Sequence, residues 1–344
     1  MQRDRRRLLR SLAAGCAVPC LPAPSAAAVP ARPPLPIAFV YATSIGTAGW
    51  TYQHHMGRLG LELRLGAAVQ TRFVENVADD AEAERVLRAL AGQGHRLVFA
   101  TSEAHRAAVL RVAPAFPQVV FESVGDTREV LPPNVSAYTA RAEQGRYLAG
   151  CVAGWMGRSG RIGHIAGLQN PQSQQALDAF IRGLRSVNPK AQVQAIWLHT
   201  PFNPAKEREA AERLVRDGVD LLTQYLGTSA VAEVAEAHAA RGVRCIGDQS
   251  DLRPFAPAAQ LTSSTLHWGD RYTAVARAVI AGKWMPRPFV GGVRERVVRL
   301  AAYSTEVPKE VQRQVNDTER AMAAGRSTSH AVPRPGMTGP TSRH

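Results

Sequence analysis

From residue 36 the chain alternates two rhythms. Short runs rich in β-branched and aromatic residues, at 36–41, 69–74, 95–100 and 118–122, are separated by longer stretches, at 54–65, 79–91 and 104–113. In those stretches apolar residues recur every three or four positions. The first kind predicts strands and the second helices. In 79–91, Val86, Leu87 and Leu90 share one face, and Asp79-Asp80 stands where anionic side chains favour a helix start. After residue 139 the rhythm begins again. Helices are expected over 144–156, 174–187, 206–216 and 230–240, with strands over 161–166, 191–198, 219–223 and 243–246. Such alternation predicts parallel sheets with right-handed crossovers. Two successive series predict an α/β chain of two lobes, each a doubly wound parallel sheet. The expected partition is 36–139 plus 265–285 for the first lobe and 140–264 plus 286–325 for the second. A helix over 268–281 returns to the first lobe. A terminal helix over 308–323 starts on Pro308, whose missing N–H does no harm at a first helical position. The Ser-, Thr-, Pro- and Gly-rich tail, 326–344, is expected to be disordered.

In open α/β sheets ligands bind beyond the carboxyl ends of the strands. The loops so selected are 42–50, 75–78, 101–104, 123–127, 167–173, 199–203, 224–229 and 247–253. Two facing lobes would place them on both walls of one cleft, hinged around a small ligand. Trp50, Phe202, Tyr225 and Trp268 lie in or beside these loops and offer aromatic faces to a flat ring. Ser102, Asn203 and Gln249 offer neutral donors and acceptors for its edge, and Glu75 a carboxylate for an exocyclic amine.

Composition narrows the picture. Hydrophobic residues make up 45% and charged residues 20%, the balance of a chain with a real core. A net charge of +14 and a pI near 10.4 raise the question of a nucleic-acid partner. The arginines are scattered singly, however, and no zinc-finger or RNA-recognition pattern occurs, so none is expected. The densest basic run, Arg3 to Arg10, precedes an apolar stretch and the small residues of 24–28. Basic, apolar, small is the order of a secretory signal, and the adjacent arginines before Leu8-Leu9 give it a twin-arginine look. Removing 1–28 takes away five Arg and one Asp, leaving about +10, and predicts a soluble periplasmic protein. A lipoprotein-like box ends at Cys16, but the apolar region before it is very short, so lipid anchoring is the lesser reading. Cys151 and Cys245 sit in apolar runs, as buried thiols or as a disulfide.

The glycine-rich turn 43–50 could hold an anion but lacks a Walker lysine and G-x-G-x-x-G spacing. His54-His55 are helix neighbours and not the i,i+4 pair that shares a metal. No activated nucleophile, metal cluster or close carboxylate pair emerges. The expectation is therefore a binding protein and not an enzyme, with no cofactor and no metal.

The same loops carry a family resemblance over about residues 36–285. Thr47-Ala-Gly-Trp50 with Thr51-Tyr52, Glu75-Asn-Val77, Phe99-Ala-Thr-Ser102, Arg146-Tyr-Leu-Ala-Gly150, Ala179-Phe180 with Gly183, Asn203-Pro-Ala-Lys-Glu207 and Trp268-Gly269 occur in order. In these segments the chain resembles the basic membrane protein (BMP) family of ABC-transporter solute-binding proteins. The resemblance implies the type I periplasmic binding protein fold, lobe closure and a permease partner. It also implies a purine base or nucleoside as ligand class, adenine-type by the Gly-Trp of the first loop. A monomeric chain is expected. A module that presents bound solute to a membrane receptor would have the same cleft. The chain departs from the family pattern at polar positions. Thr47, Gln172, Asp178, Pro201, Asn203 and Gln249 replace its Asp/Glu, Asp/Glu, Asn, Trp, Asp and Asp, and Glu103-Ala104 stands where Gly or an aromatic is usual. Several of these trade a carboxylate for a neutral group, which implies a different heterocycle or a weaker site.

Overall fold

The computed structural model describes residues 33–326. The segment 1–28, expected to be an export signal, and nearly all of the expected tail lie outside them. The chain opens with β1 (Leu35–Val40), α1 (Gly49–Leu65), β2 (Val69–Val74), α2 (Asp80–Gly92), β3 (Leu97–Ala100), α3 (Arg106–Val112), β4 (Val120–Val124) and β5 (Val135–Ala140). It then crosses to α4 (Ala142–Met156), β6 (Arg161–Ala166), α5 (Pro171–Val187), β7 (Gln192–Trp197), α6 (Pro204–Arg216), β8 (Leu221–Tyr225), α7 (Ala230–Ala237), β9 (Arg244–Gln249) and β10 (Gln260–Leu266). It returns through α8 (Gly269–Ile280) and β11 (Phe289–Gly291), and crosses a last time into β12 (Val298–Leu300) and α9 (Lys309–Ala323).

Two sheets result, ordered β2-β1-β3-β4-β5-β11 and β7-β6-β8-β9-β10-β12. Every pairing is parallel except β10 with β12. The two halves thus share one winding order, and each sheet with its helices forms a lobe. The α/β reading holds, with both sheets parallel-dominated as expected. Phe289–Gly291 pairs with β5 in the first sheet. The segment after 286, expected wholly in the second lobe, therefore completes the first sheet before leaving it.

Local chemistry explains the element starts. Asp79 caps α2, accepting from the Glu82 N–H at 2.8 Å. Asn170 and Ser173 form a reciprocal capping box on α5, with Pro171 at its first position. Pro308 is the residue just before α9 and not its first helical residue. Four strands had no clear sequence signal: β5, β10, β11 and β12. Both cysteines among the described residues are buried and free, Cys151 on α4 and Cys245 on β9. Between α4 and α5 the backbones almost touch. A Cβ at Gly183 would lie 1.9 Å from the Tyr147 carbonyl oxygen, and one at Gly150 would lie 2.1 Å from that of Phe180. Only glycine permits that approach.

Three crossovers join the lobes, at 141, at 267–268 and at 292–297. They are laced together: the Arg141 N–H donates to the Gly291 carbonyl at 2.8 Å, and the His267 N–H to that of Val297 at 2.8 Å. The Val293 N–H donates to Gln144 Oε1 at 2.8 Å. No helix among the described residues is long and apolar enough to cross a membrane.

Candidate functional site

The carboxyl ends of both sheets face one cleft. A cavity of about 260 Å³ there is lined by Thr43, Trp50 and Ser102 from the first lobe and by Phe202, Tyr225 and Gln249 from the second. A second cavity, of about 410 Å³, shares Trp50, Ser102, Asn170 and Tyr225 and reaches Glu103, Glu143 and Gln172. Five of the eight residues singled out in the sequence meet here.

Trp50, in the first turn of α1, is the centre of the wall. Its indole N–H donates to the Thr101 carbonyl at 2.7 Å, which fixes the ring plane. Behind it, His54 meets the ring edge-on at 4.6 Å and Trp268 at 5.8 Å. The Trp50 side chain packs on the cores of both lobes. Ser102 lies at the end of β3, where its hydroxyl accepts from the Ala104 N–H at 3.2 Å. Phe202 is 41% exposed and covers Gly227, an apolar face left open at the surface.

The opposite wall rests on buried charge. Arg146, fully buried on α4, reaches Asp248 at 3.4 Å and Thr223 Oγ1 at 3.2 Å, and lies 4.8 Å over the Phe180 ring. Burial pushes the Asp248 carboxyl up to about 6, against the pull of the Arg146 guanidinium. Burial and the Asp248 charge push the neighbouring Tyr225 phenol up to about 12, so it stays a neutral donor at physiological pH. Gln249, next along, has φ of 60°, the left-handed region. For a residue with a Cβ this costs on the order of 1–2 kcal/mol, and such strain gathers at ligand-holding positions.

The remaining three predicted residues stand outside both cavities. Glu75 accepts from the Ile45 N–H at 2.7 Å and so pins the 42–48 loop. Asn203 caps α6 through the Lys206 N–H at 3.0 Å. Trp268 is 0% exposed and stacks on His54 at 4.9 Å and 11°. It backs Trp50 and lies outside both cleft cavities, because its position at the start of α8 turns it into the first-lobe core.

Asn170, Thr43 and Leu168 also line the cleft; they lie in the loops 42–50 and 167–173 expected there but were not among the eight residues singled out. Asn170 carried a detectable signal, as the cap before Pro171. The lobes touch directly at the loops. A Cβ at Gly49, whose φ is 84°, would lie 2.6 Å from the Gly227 Cα. The Gly49 N–H and Gln53 Nε2 both donate to Ser250 Oγ at 2.9 Å. Gln172 Nε2 donates to Glu103 Oε2 at 2.7 Å across the mouth. Those two residues are both departures from the family pattern, and they answer each other: an amide on one wall meets a carboxylate on the other.

Comparison with known proteins agrees with this architecture. The family model for PnrA-like ABC transporter substrate-binding proteins matches residues 35–328. A purine-binding protein of Brucella abortus (strain 2308) is 38% identical over 85% of this chain and 81% of its own length. A candidate ABC transporter glucose-binding protein of Haloferax volcanii is 30% identical over 82% of this chain and 70% of its own. Among solved structures, an ABC transporter solute-binding protein from Conexibacter woesei superposes with a TM-score of 0.73 at 25% identity, covering 87% of this chain and all of that one. The chain belongs to the Bmp family of PnrA-like ABC transporter substrate-binding proteins.

Proposed function

We propose that the cleft captures a small, flat, polar heteroaromatic solute of the purine base or nucleoside class, for delivery to the permease of an ABC importer. The observation that carries this is the Trp50 ring. It is held in plane by its own N–H and backed by two further rings, and it opens onto a cavity closed from the other lobe by Phe202 and Tyr225. A ring between Trp50 and Phe202 would gain stacking on both faces. Ser102, Gln249 and the Tyr225 hydroxyl would bond its edge. Glu75 and Asn203 act at one remove, by setting the loops that carry the wall.

At about 260 Å³ the first cavity is at the small end for ligand sites and suits a free base; the adjoining one gives a sugar room. The purine-binding relative supports this class, while the Haloferax relative makes a sugar the natural competitor. We place the protein in the periplasm, exported by the signal over 1–28 and working as a monomer. Its role is binding and not catalysis.

The test is thermal unfolding of protein stripped of ligand, against adenine, nucleosides and glucose. A binder at a hundredfold excess over Kd adds about 2.7 kcal/mol to stability. A shift with a purine that disappears in Trp50→Ala is the expected result. A shift with glucose and none with any purine would overturn the ligand class.

A further inference from the structure

On the hinge side of the molecule a groove of about 540 Å³ runs between the lobes, separate from the cleft lining. Its first-lobe wall carries Arg64 on α1 and Asp270 on α8; its second-lobe wall carries Arg296 from the last crossover and Arg299 on β12. We propose that this groove is a second binding site, for a compact oxyanion of the phosphate type, held by Arg64, Arg296 and Arg299 so as to tie the lobes together at the hinge.

The case rests on donors left over. Each guanidinium offers five N–H groups in a fork suited to oxyanions. Arg64 uses one on Asp270 at 3.0 Å and reaches Thr273 at only 3.5 Å. Arg299 spends Nε on the Arg296 carbonyl at 2.8 Å and stands 3.8 Å from the same Asp270. Arg296 has no carboxylate within salt-bridge distance among the described residues. A fully paired arginine in this chain looks different. Arg244 takes both oxygens of Glu306, at 2.6 and 2.7 Å.

The nearby acids do not absorb these donors. Asp251 is engaged by the Arg253 N–H at 3.1 Å and by Gln260 Nε2 at 2.6 Å. Asp270 is 71% exposed and shared between two arginines. Glu319 lies on α9 beside Arg296 and Arg299, its carboxyl pushed up by burial. Burial and the charges of Arg296 and Arg64 hold the Arg299 guanidinium below its ordinary value, the mark of crowded cations that an anion would relieve. His267, held low by burial and Arg299, stays neutral near pH 7.

An anion spanning both walls binds the lobe arrangement seen here and not a splayed one. By linkage it would then tighten the cleft for its solute, by the same factor with which the solute tightens the anion. This coupling rests on the cleft reading; the site itself does not.

The experiment is therefore run first without any purine. Inorganic phosphate at millimolar concentration is titrated calorimetrically, and by thermal unfolding, into the full chain and into Arg296→Gln, Arg299→Gln and Arg185→Gln. Arg185 is an exposed control on α5. The expected result is saturable binding in the wild type and the control, weakened several-fold in both groove variants. Equal shifts in all four proteins would mean a general effect of salt on a basic chain, and the site would be overturned. So would heats that never saturate. A second arm measures solute affinity with and without phosphate, and a rise lost in Arg296→Gln is the expected outcome. Failure of the solute to bind at all would sink the purine reading and leave the first arm standing.

Discussion

The two lobes wind in the same order, yet they hold their halves of the cleft by opposite means. In the first, the wall residue Trp50 leans on a pile of rings. Trp268 stacks on His54, Tyr138 meets Trp268 edge-on at 5.3 Å, and Phe39 stacks on Phe99 at 4.7 Å. His54 is also hydrogen-bonded to the Tyr272 hydroxyl. In the second, Tyr225 and Gln249 stand beside Arg146 and Asp248, a buried pair that also holds Thr223 and the face of Phe180. Packing is non-directional and yields by degrees when atoms are removed. A buried ion pair is directional, and it fails sharply when one partner goes. One topology therefore presents a wall set by shape and a wall set by charge.

The largest effect should come from the ring pile. Trp268→Ala is expected to cost about 3–5 kcal/mol in urea unfolding, as for other large aromatic truncations. Although Trp268 lies outside the cleft cavities, the same variant should weaken solute binding, because Trp50 loses its backing. Unchanged affinity in a destabilised protein would show that Trp50 is held by its bond to Thr101 alone. Next comes the charged wall. Arg146→Met leaves Asp248 buried and unpaired, and should cost about 3 kcal/mol. Adding Asp248→Leu to it should recover most of that loss, which a double-mutant cycle would read directly. A double variant no more stable than Arg146→Met would mean that Arg146 serves the fold through its contact with Phe180 and not through the pair.

The difference between the lobes also marks what could be read from sequence. Strands β2 and β6 were visible to the residue: β6 is buried from Ile162 to Ala166 and carries the apolar residues this demands, while β2, an edge strand, shows itself by the β-formers Val69, Phe73 and Val74. Strand β10, Gln260–Leu266, was hidden, since its sequence QLTSSTL reads as a polar loop. All seven residues are nonetheless buried. The hydroxyls are tolerated there because they find backbone acceptors: Thr262 on the Ala301 carbonyl at 2.8 Å, Thr265 on that of Arg299 at 3.0 Å. Strands β11 and β12, three residues each, are too short to show a period. In the cleft, strand-end position located Trp50, Ser102, Phe202, Tyr225 and Gln249. It could not tell which way a loop residue turns. Trp50 and Trp268 both begin helices next to strand ends, yet only one faces the cavity. Asn203 looks like a ligand group, but its place before Pro204 made a helix cap the cheaper use. The pair of Arg146 and Asp248 joins residues far apart in sequence, and a lone arginine in an apolar helix gives no hint of its partner.

The smallest effect is the one that separates the walls most cleanly, a dependence on pH. Asp248 has a carboxyl raised from 3.8 to about 6 in the folded chain, chiefly by burial. A folded state that binds a proton more tightly than the unfolded one is favoured at low pH. The contribution is fully present below 3.8 and is lost as pH rises through about 6. His54 in the first lobe works the other way. Burial lowers its imidazole well below 6.5, so the stability it gives is lost as pH falls. Buried His164 in the second lobe does the same, so wild type alone would show only the sum. Comparing wild type with Asp248→Asn between pH 4 and 7 removes the histidines, which both chains share. Wild type should lose stability relative to the variant as pH rises, by no more than about 1.4 kcal/mol per pH unit, the slope of one proton. A flat difference would mean that Arg146 keeps Asp248 ionised throughout; the second wall would then be as indifferent to pH as the rings that face it.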